Sequence, residues 1–234
     1  MNTRSSAVLA LGIVAGCFLL GRYFFASRTT EQSIRVVGAA TKRVEADVVK
    51  WRLAITRVSS EQEISGAYQK IHDDVLKTIG RLKSRGIKDE NITLQAITTN
   101  QIYGPEGRKS GYDVRQTILV ISRNVADLEQ MAVDPKSILE QGTILGQSDL
   151  EYFLSDLPKT KKELLADAMR DARSRAEEIA AASGVRISRL LNSSVGVFQI
   201  TEPYSTEVSD YGMYNTSTKQ KDITVTVRAG YAVE

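Results

Sequence analysis

The sequence contains one histidine, one cysteine and one tryptophan. Any imidazole-based proton transfer would therefore fall to His72, which stands beside Asp73 and Asp74, one position off an apolar helical face. A lone helical histidine with acidic neighbours reads as a solvated surface group. Cys17 has no partner for an internal disulfide, and a Cys/His zinc cluster cannot be assembled. No G-x-S-x-G elbow is present, so a serine hydrolase of that type lacks its signature. Gly104 to Gly111 has the glycines and lysine of a phosphate loop but not its Gly-Lys-Ser spacing, and it lies between two strand-like runs. It reads as a hairpin turn, with Arg108 and Lys109 serving solubility or edge protection. Asp73-Asp74, Asp89-Glu90 and Glu177-Glu178 lack the alternating ligand spacing of a calcium loop. What remains for catalysis is a carboxylate pair, which needs two converging acids, one with a raised pKa. No metal and no cofactor is expected.

Binding has better material. Tyr103, Tyr112, Tyr204, Tyr211, Met213 and Tyr214 cluster in sequence around a hairpin tip and a late polar loop. Tyrosine suits interfaces because it buries a large ring while keeping a polar handle; the alternative is that these rings cover a sheet edge of their own domain. A second candidate is a helical face made mainly of alanine, Leu165, Ala168, Ala172, Ala176, Ile179 and Ala180, for which packing within the chain is the stronger reading. The acids and arginines at Asp167/Arg170 and Asp171/Arg175 have the spacing of helix-surface pairs, worth only about 0.2–0.5 kcal/mol each. Lys159, Lys161 and Lys162 fall in the first turns of the same helix and read as a solvated terminus.

The elements that must position these residues follow from periodicity. Ile34–Val37 is a short β-rich run, followed by the turn-compatible Gly38. Val49, Trp51, Leu53 and Ile55 alternate with Lys50, Arg52, Ala54 and Thr56, the period of a half-buried strand. From Glu61 to Arg85, Ile64, Tyr68, Ile71, Val75, Ile79 and Leu82 recur every three or four residues, predicting a helix stopped by Gly86. Strands are expected over 92–103 and 112–121, a helix within 125–141 interrupted at Asp134-Pro135, a strand over 150–154 and a long helix over 158–183. Two closing strands span 189–200 and 222–231; in the second, Ile223, Val225, Val227, Ala229 and Tyr231 share a face. The order ββαββαβαββ predicts an α+β fold, a mixed or antiparallel sheet with two long helices packed on one face.

Residues 1–28 stand apart. Ala7–Ala26 is a 20-residue apolar run interrupted only near its end by Arg22, close to the length a helix needs to cross a bilayer. The run predicts a signal-anchor through residues 7–26, with Val8, Leu11, Val14, Phe18, Leu19, Phe24 and Phe25 facing lipid. A cleaved signal peptide and lipidation at Cys17, within a lipobox-like Val14-Ala15-Gly16-Cys17, are the other readings. Residues 29–32 are a short linker and 33–232 the folded domain. Arg4, Arg22 and Arg28 are the only charged side chains before Glu31. The 31 basic residues less these three leave 28 against 28 acidic. A neutral domain gives no electrostatic reason to expect nucleic acid binding.

Ile34-Arg35-Val36-Val37-Gly38, the helix end Ser84-Arg85-Gly86-Ile87 leading into Asn91-Ile92-Thr93, and Ala168 through Ala180 followed by Ser183-Gly184 together resemble the SIMPL-domain family of bacterial envelope proteins. The resemblance covers about residues 33–232. It implies an exported assembly or interaction domain, with some members oligomeric and some linked to stress tolerance, and it carries no catalytic residues to transfer. The expectation is a single-pass protein of the cytoplasmic membrane with its C-terminal domain outside. It would act as a non-catalytic, self-associating scaffold, a homo-oligomer or partner of another envelope protein. The alternatives are a carboxylate-dependent hydrolase and a periplasmic receptor for a small ligand.

Overall fold

A computed structural model describes residues 3–28, 32–137, 139 and 142–234. The N-terminal helix α1 is Thr3–Arg28, of whose side chains those of residues 11–24 are described. The side chains of Val8 and Phe25 of the expected lipid face, and residues 29–31, lie outside what is described. The chain then runs β1 (Ser33–Glu45), β2 (Val48–Ser59), α2 (Ile64–Ser84), β3 (Ile92–Leu94), β4 (Thr98–Tyr103), β5 (Lys109–Ser122), α3 (Val125–Val133), β6 (Ile144–Phe153), α4 (Leu157–Ala182), β7 (Ile187–Val195), β8 (Gln199–Thr201), β9 (Met213–Tyr214) and β10 (Gln220–Val233). Where one sheet was expected there are two, each of five strands. The chain divides into two compact units: Met1–Ala40, Leu165–Gly196 and Thr226–Glu234 form one, Thr41–Leu164 and Val197–Val225 the other. By these bounds β1, α4 and β10 each run through both.

In the larger unit β2 is the central strand, antiparallel to β5 on one side and to β6 on the other. Val49, Trp51, Leu53 and Ile55 are fully buried, and Trp51 donates its indole N–H to Ser148 Oγ at 2.9 Å. The other face is not wholly solvated, because Ala54 and Thr56 are buried as well. Helix α2 lays Ala67, Ile71, Val75 and Leu82 into this core, joined by Leu128 of α3 and by Val114, Ile118 and Val120 of β5. Tyr68, expected on the buried face, is half exposed and bonds Thr99 Oγ1 instead. The strand expected over 92–103 is two strands on one partner: Leu94 sits opposite Ile118 and Thr98 opposite Arg115, so one extra residue bulges out between them. The helix expected over 125–141 ends at Val133, because proline at 135 disfavours helical geometry in the residue before it.

In the smaller unit the C-terminal half of β10 pairs antiparallel with β7, and α4 packs across Val36, Ala229 and Tyr231. Helices α2 and α4 thus serve different sheets rather than one face of a single sheet, since each long amphipathic face finds its own strand pair. Gly38 is no turn: it lies mid-strand in β1, where an added Cβ would come within 2.3 Å of Ala168 O and 2.4 Å of Ala172 N. Only glycine lets the helix backbone settle directly on the strand. The buried line of α4 is Leu164, Ala168, Ala172, Ala176 and Ala180, a strict four-residue repeat. Leu165 is therefore only partly buried and Ile179 is exposed. Asp171, read from sequence as a surface ion pair, also accepts the backbone N–H of Ala39 at 2.8 Å, tying α4 to β1.

Candidate interaction surface

Residues 202–219, between β8 and β10, form a long loop whose base is fixed at many points. Gln199 exchanges two hydrogen bonds with the Ser209 backbone, at 2.6 and 3.4 Å. Met213 and Tyr214 pair in parallel with Gln199 and Ile200, and the Tyr214 ring lies 6.2 Å from that of Phe153. Asn215 Oδ1 accepts the backbone N–H groups of Ser217 and Thr218, at 3.0 and 3.2 Å. Such a turn closes on itself without help from a sheet.

Two charged groups finish the base. Asp222 accepts two 2.8 Å bonds from the Arg43 guanidinium, which also donates to Tyr204 Oη at 3.1 Å and lies 4.4 Å from the centre of that ring. Arg43 holds the Asp222 carboxyl below the usual carboxylate range. Tyr204 has φ 63°, a strained conformation for a residue with a Cβ, and these contacts hold it there. Lys221 is 1% exposed and gives its ammonium to the carbonyls of Asn215 at 2.5 Å and Thr218 at 2.7 Å. Burial pushes its pKa down to about 8. Sequence reading missed Lys221, although the signal was there: it has the parity of Ile223, Val225 and Val227 along β10.

Above this base the loop carries Tyr204, Val208 and Tyr211, exposed by 85%, 81% and 98%. A braced base leaves less ordering entropy to be lost if the exposed side chains above it enter a contact. The hairpin tyrosines belong elsewhere. Tyr112 packs partly on the core beneath the Lys109 ammonium, 4.4 Å from its ring centre, and Lys109 also pairs with Glu61 at 2.9 Å. Tyr103 donates to Gln101 Oε1 at 2.5 Å. Along β2, Tyr112 lies opposite Ser59 and Phe153, the neighbour of Tyr214, opposite Val48. Those ends are separated by about 36 Å of strand. The six residues grouped from sequence therefore lie at two separate places, not one.

Catalytic geometry can be weighed in the same terms. His72 is exposed, and Asp74 is committed to Arg57 at 2.5 Å. Lys161 stands 5.1 Å from the Phe198 ring centre. Among the described carboxyls with a resolved shift, Glu163 is lowered by Lys42, Asp171 by the Ala39 N–H and then Arg175, and Asp222 by Arg43. In Asp47 burial pushes upward, and the bonds from Ser155 together with the field of Arg123 outweigh it. All four favour the ionised form, the opposite of what a general acid requires. No group of three or more potential metal ligands occurs among the described residues.

These features define an α+β protein built on two five-stranded sheets, with a braced, exposed loop as its candidate contact surface. The chain belongs to the SIMPL family, described as a protein of unknown function (DUF541), whose model matches residues 34–231 and leaves α1 outside. No curated protein matches it. Among solved structures it is similar to one titled "Crystal structure of a hydrolase from Listeria innocua", at 8% identity and a TM-score of 0.22, covering 83% of this chain and 91% of that one. A likeness of that size carries no argument about activity.

Proposed function

We propose that this SIMPL-family protein is tethered to the cytoplasmic membrane through residues 7–26. In this reading residues 33–232 lie outside the cytoplasm, and the protein works by associating with further copies of itself or with another envelope protein rather than by catalysis. The observation that carries the tether is the surface of α1: Leu11, Ile13, Val14, Phe18, Leu19, Leu20, Tyr23 and Phe24 are between 58% and 80% exposed. Exposed aqueous apolar area on that scale is unfavourable by about 25 cal/mol per Å². The whole helix, 26 residues, is about 39 Å long, enough for the bilayer core. Among the described residues no helix is long and apolar enough to cross a membrane, the described side chains of α1 being those of 11–24.

Association is supported by the loop apex, where Val208 and Tyr211 stand exposed above a braced base. The test is the full chain expressed in membranes. Resistance to carbonate extraction, with cross-linked multimers in the membrane and a matching mass by light scattering in detergent, is expected. Release by carbonate removes the tether; a strict monomer with no cross-linked partner removes the association.

A further inference from the structure

The outward face of the smaller unit carries a feature that neither the family match nor the loop explains. On β1 the residues opposite the α4 side are Arg35 and Val37; on β10 they are Arg228 and Gly230. The Val233 N–H donates to Gln32 O, and the Thr41–Thr224 contact keeps the same antiparallel register, which sets Arg35 beside Gly230 and Val37 beside Arg228. The register with β7 sets Gly230 against Asn192 and Arg228 against Ser194. Two rows result, Arg35–Gly230–Asn192 and Val37–Arg228–Ser194. Beside them lies a depression of about 400 Å³, lined by Arg35, Val37, Arg228, Asn192 and Ser194 together with Val36 and Ala229. A Cβ at position 230 would meet the Asn192 amide oxygen at 2.9 Å and nitrogen at 3.1 Å, so glycine is what lets that amide lie so close to the strand.

The charge in this depression is unanswered. Most arginines on the described surface are matched: Arg43 with Asp222, Arg57 with Asp74, Arg170 with Asp167, Arg173 with Glu177, Arg175 with Asp171. Neither Arg35 nor Arg228 has an ion-pair or hydrogen-bond partner among the described residues, and no acidic residue lines the cavity. Two guanidiniums on neighbouring strands, about 5–8 Å apart at their Cβ atoms, present forked N–H donors that match the oxygens of a tetrahedral anion. The Asn192 amide and Ser194 hydroxyl add neutral donors.

We propose that this cradle binds a phosphate group, with Arg35 and Arg228 as the charged donors and Asn192 and Ser194 as the orienting ones. The phosphate comes either from a small soluble phosphate or from a lipid headgroup. The second source is within reach, because Arg35 lies seven residues beyond Arg28 at the end of α1, at most about 25 Å of extended chain. Only that lipid source rests on α1 being the membrane tether; binding of soluble phosphate does not.

The experiment titrates the full chain in a neutral detergent with inorganic phosphate and, separately, with dihexanoyl-phosphatidylglycerol below its micellar concentration, by calorimetry. Wild type is expected to bind at least one probe. R35Q and R228Q each weaken binding about tenfold, the double variant abolishes it, and R170Q on the exposed face of α4 changes nothing. S194D, which places a carboxylate opposite Arg228, is a second route to the same loss, and near-UV circular dichroism verifies that each variant is folded. Binding of inorganic phosphate alone assigns the soluble source; binding of the phosphatidylglycerol at equal or greater affinity assigns the headgroup. No millimolar binding of either probe, or binding indifferent to R35Q, R228Q and S194D in folded protein, overturns the proposal.

Discussion

Raising the pH from 7 to 9.5 is expected to stabilise the native chain by about 2 kcal/mol through Lys221, a gain that K221M lacks. Burial holds the folded-state pKa near 8, against an ordinary value of 10.5. Below pH 8 the ammonium is charged in both states, and its burial costs about 3 kcal/mol at 1.36 kcal/mol per pKa unit. Between the two values the unfolded chain binds more protons than the folded one, so stability rises with pH until both forms are neutral. Deprotonation sacrifices no contact: a neutral amine keeps two N–H groups, and there are two carbonyls to satisfy, Asn215 and Thr218. At pH 7 the variant should lie close to wild type, because relief of the buried charge is offset by two unpaired carbonyls at about 1–3 kcal/mol each. The assay is urea unfolding followed by the fluorescence of Trp51, the single tryptophan and fully buried. The window stops short of Tyr152, which burial pushes up to about 12; its contribution is present below the ordinary tyrosine range and declines above pH 10. Parallel pH profiles for wild type and K221M would refute the reasoning.

Gly38→Ala should destabilise by about 3 kcal/mol or more, since the added methyl meets the α4 backbone rather than a movable side chain; the same urea assay reads it. Asp222→Asn should free Tyr204, raising chymotryptic cleavage within 202–211 severalfold, with overall unfolding altered far less. In wild type the Asp222 contribution is present above about pH 4 and disappears as pH falls through its lowered folded-state pKa, so hydrogen exchange at Tyr204 should accelerate in acid. The double variant Val208→Ser, Tyr211→Ser should leave the unfolding midpoint unchanged and reduce cross-linked multimers; unchanged cross-linking would remove the loop apex from the proposed contact.

Period-two and period-3.6 patterns located the long elements, β2, α2, α4 and β10 among them, because each of these buries a regular line of residues. The failures have a common physical source. Gly38 read as punctuation, since a sequence window cannot show a helix arriving from more than a hundred residues away. Sequence spacing puts Leu165 on the buried line where the fold puts Leu164, because alanines on several sides of α4 leave the face ambiguous by one position. Lys221 does not read as a core residue despite its parity, because a lysine at such a position is expected only when something buried awaits its protons. The six tyrosine-region residues were grouped by kind, whereas the length of β2 separates the hairpin from the loop. The arginines at 35 and 228 are nearly two hundred residues apart, and only strand register makes them neighbours.

The pairing of β1 has a further bearing on how the molecule is made. Its neighbour in the sheet is β10, the last strand of the domain, and its glycine receives α4 from the second half of the chain. The segment that follows α1 therefore emerges first during synthesis and waits longest for a partner. Contacts of such long sequence separation form slowly. Until residue 233 is available, β1 presents open hydrogen-bonding edges to whatever lies nearby. Shielding of that strand during synthesis would favour correct folding, and a truncation after residue 219 should leave the N-terminal strand as its most aggregation-prone part.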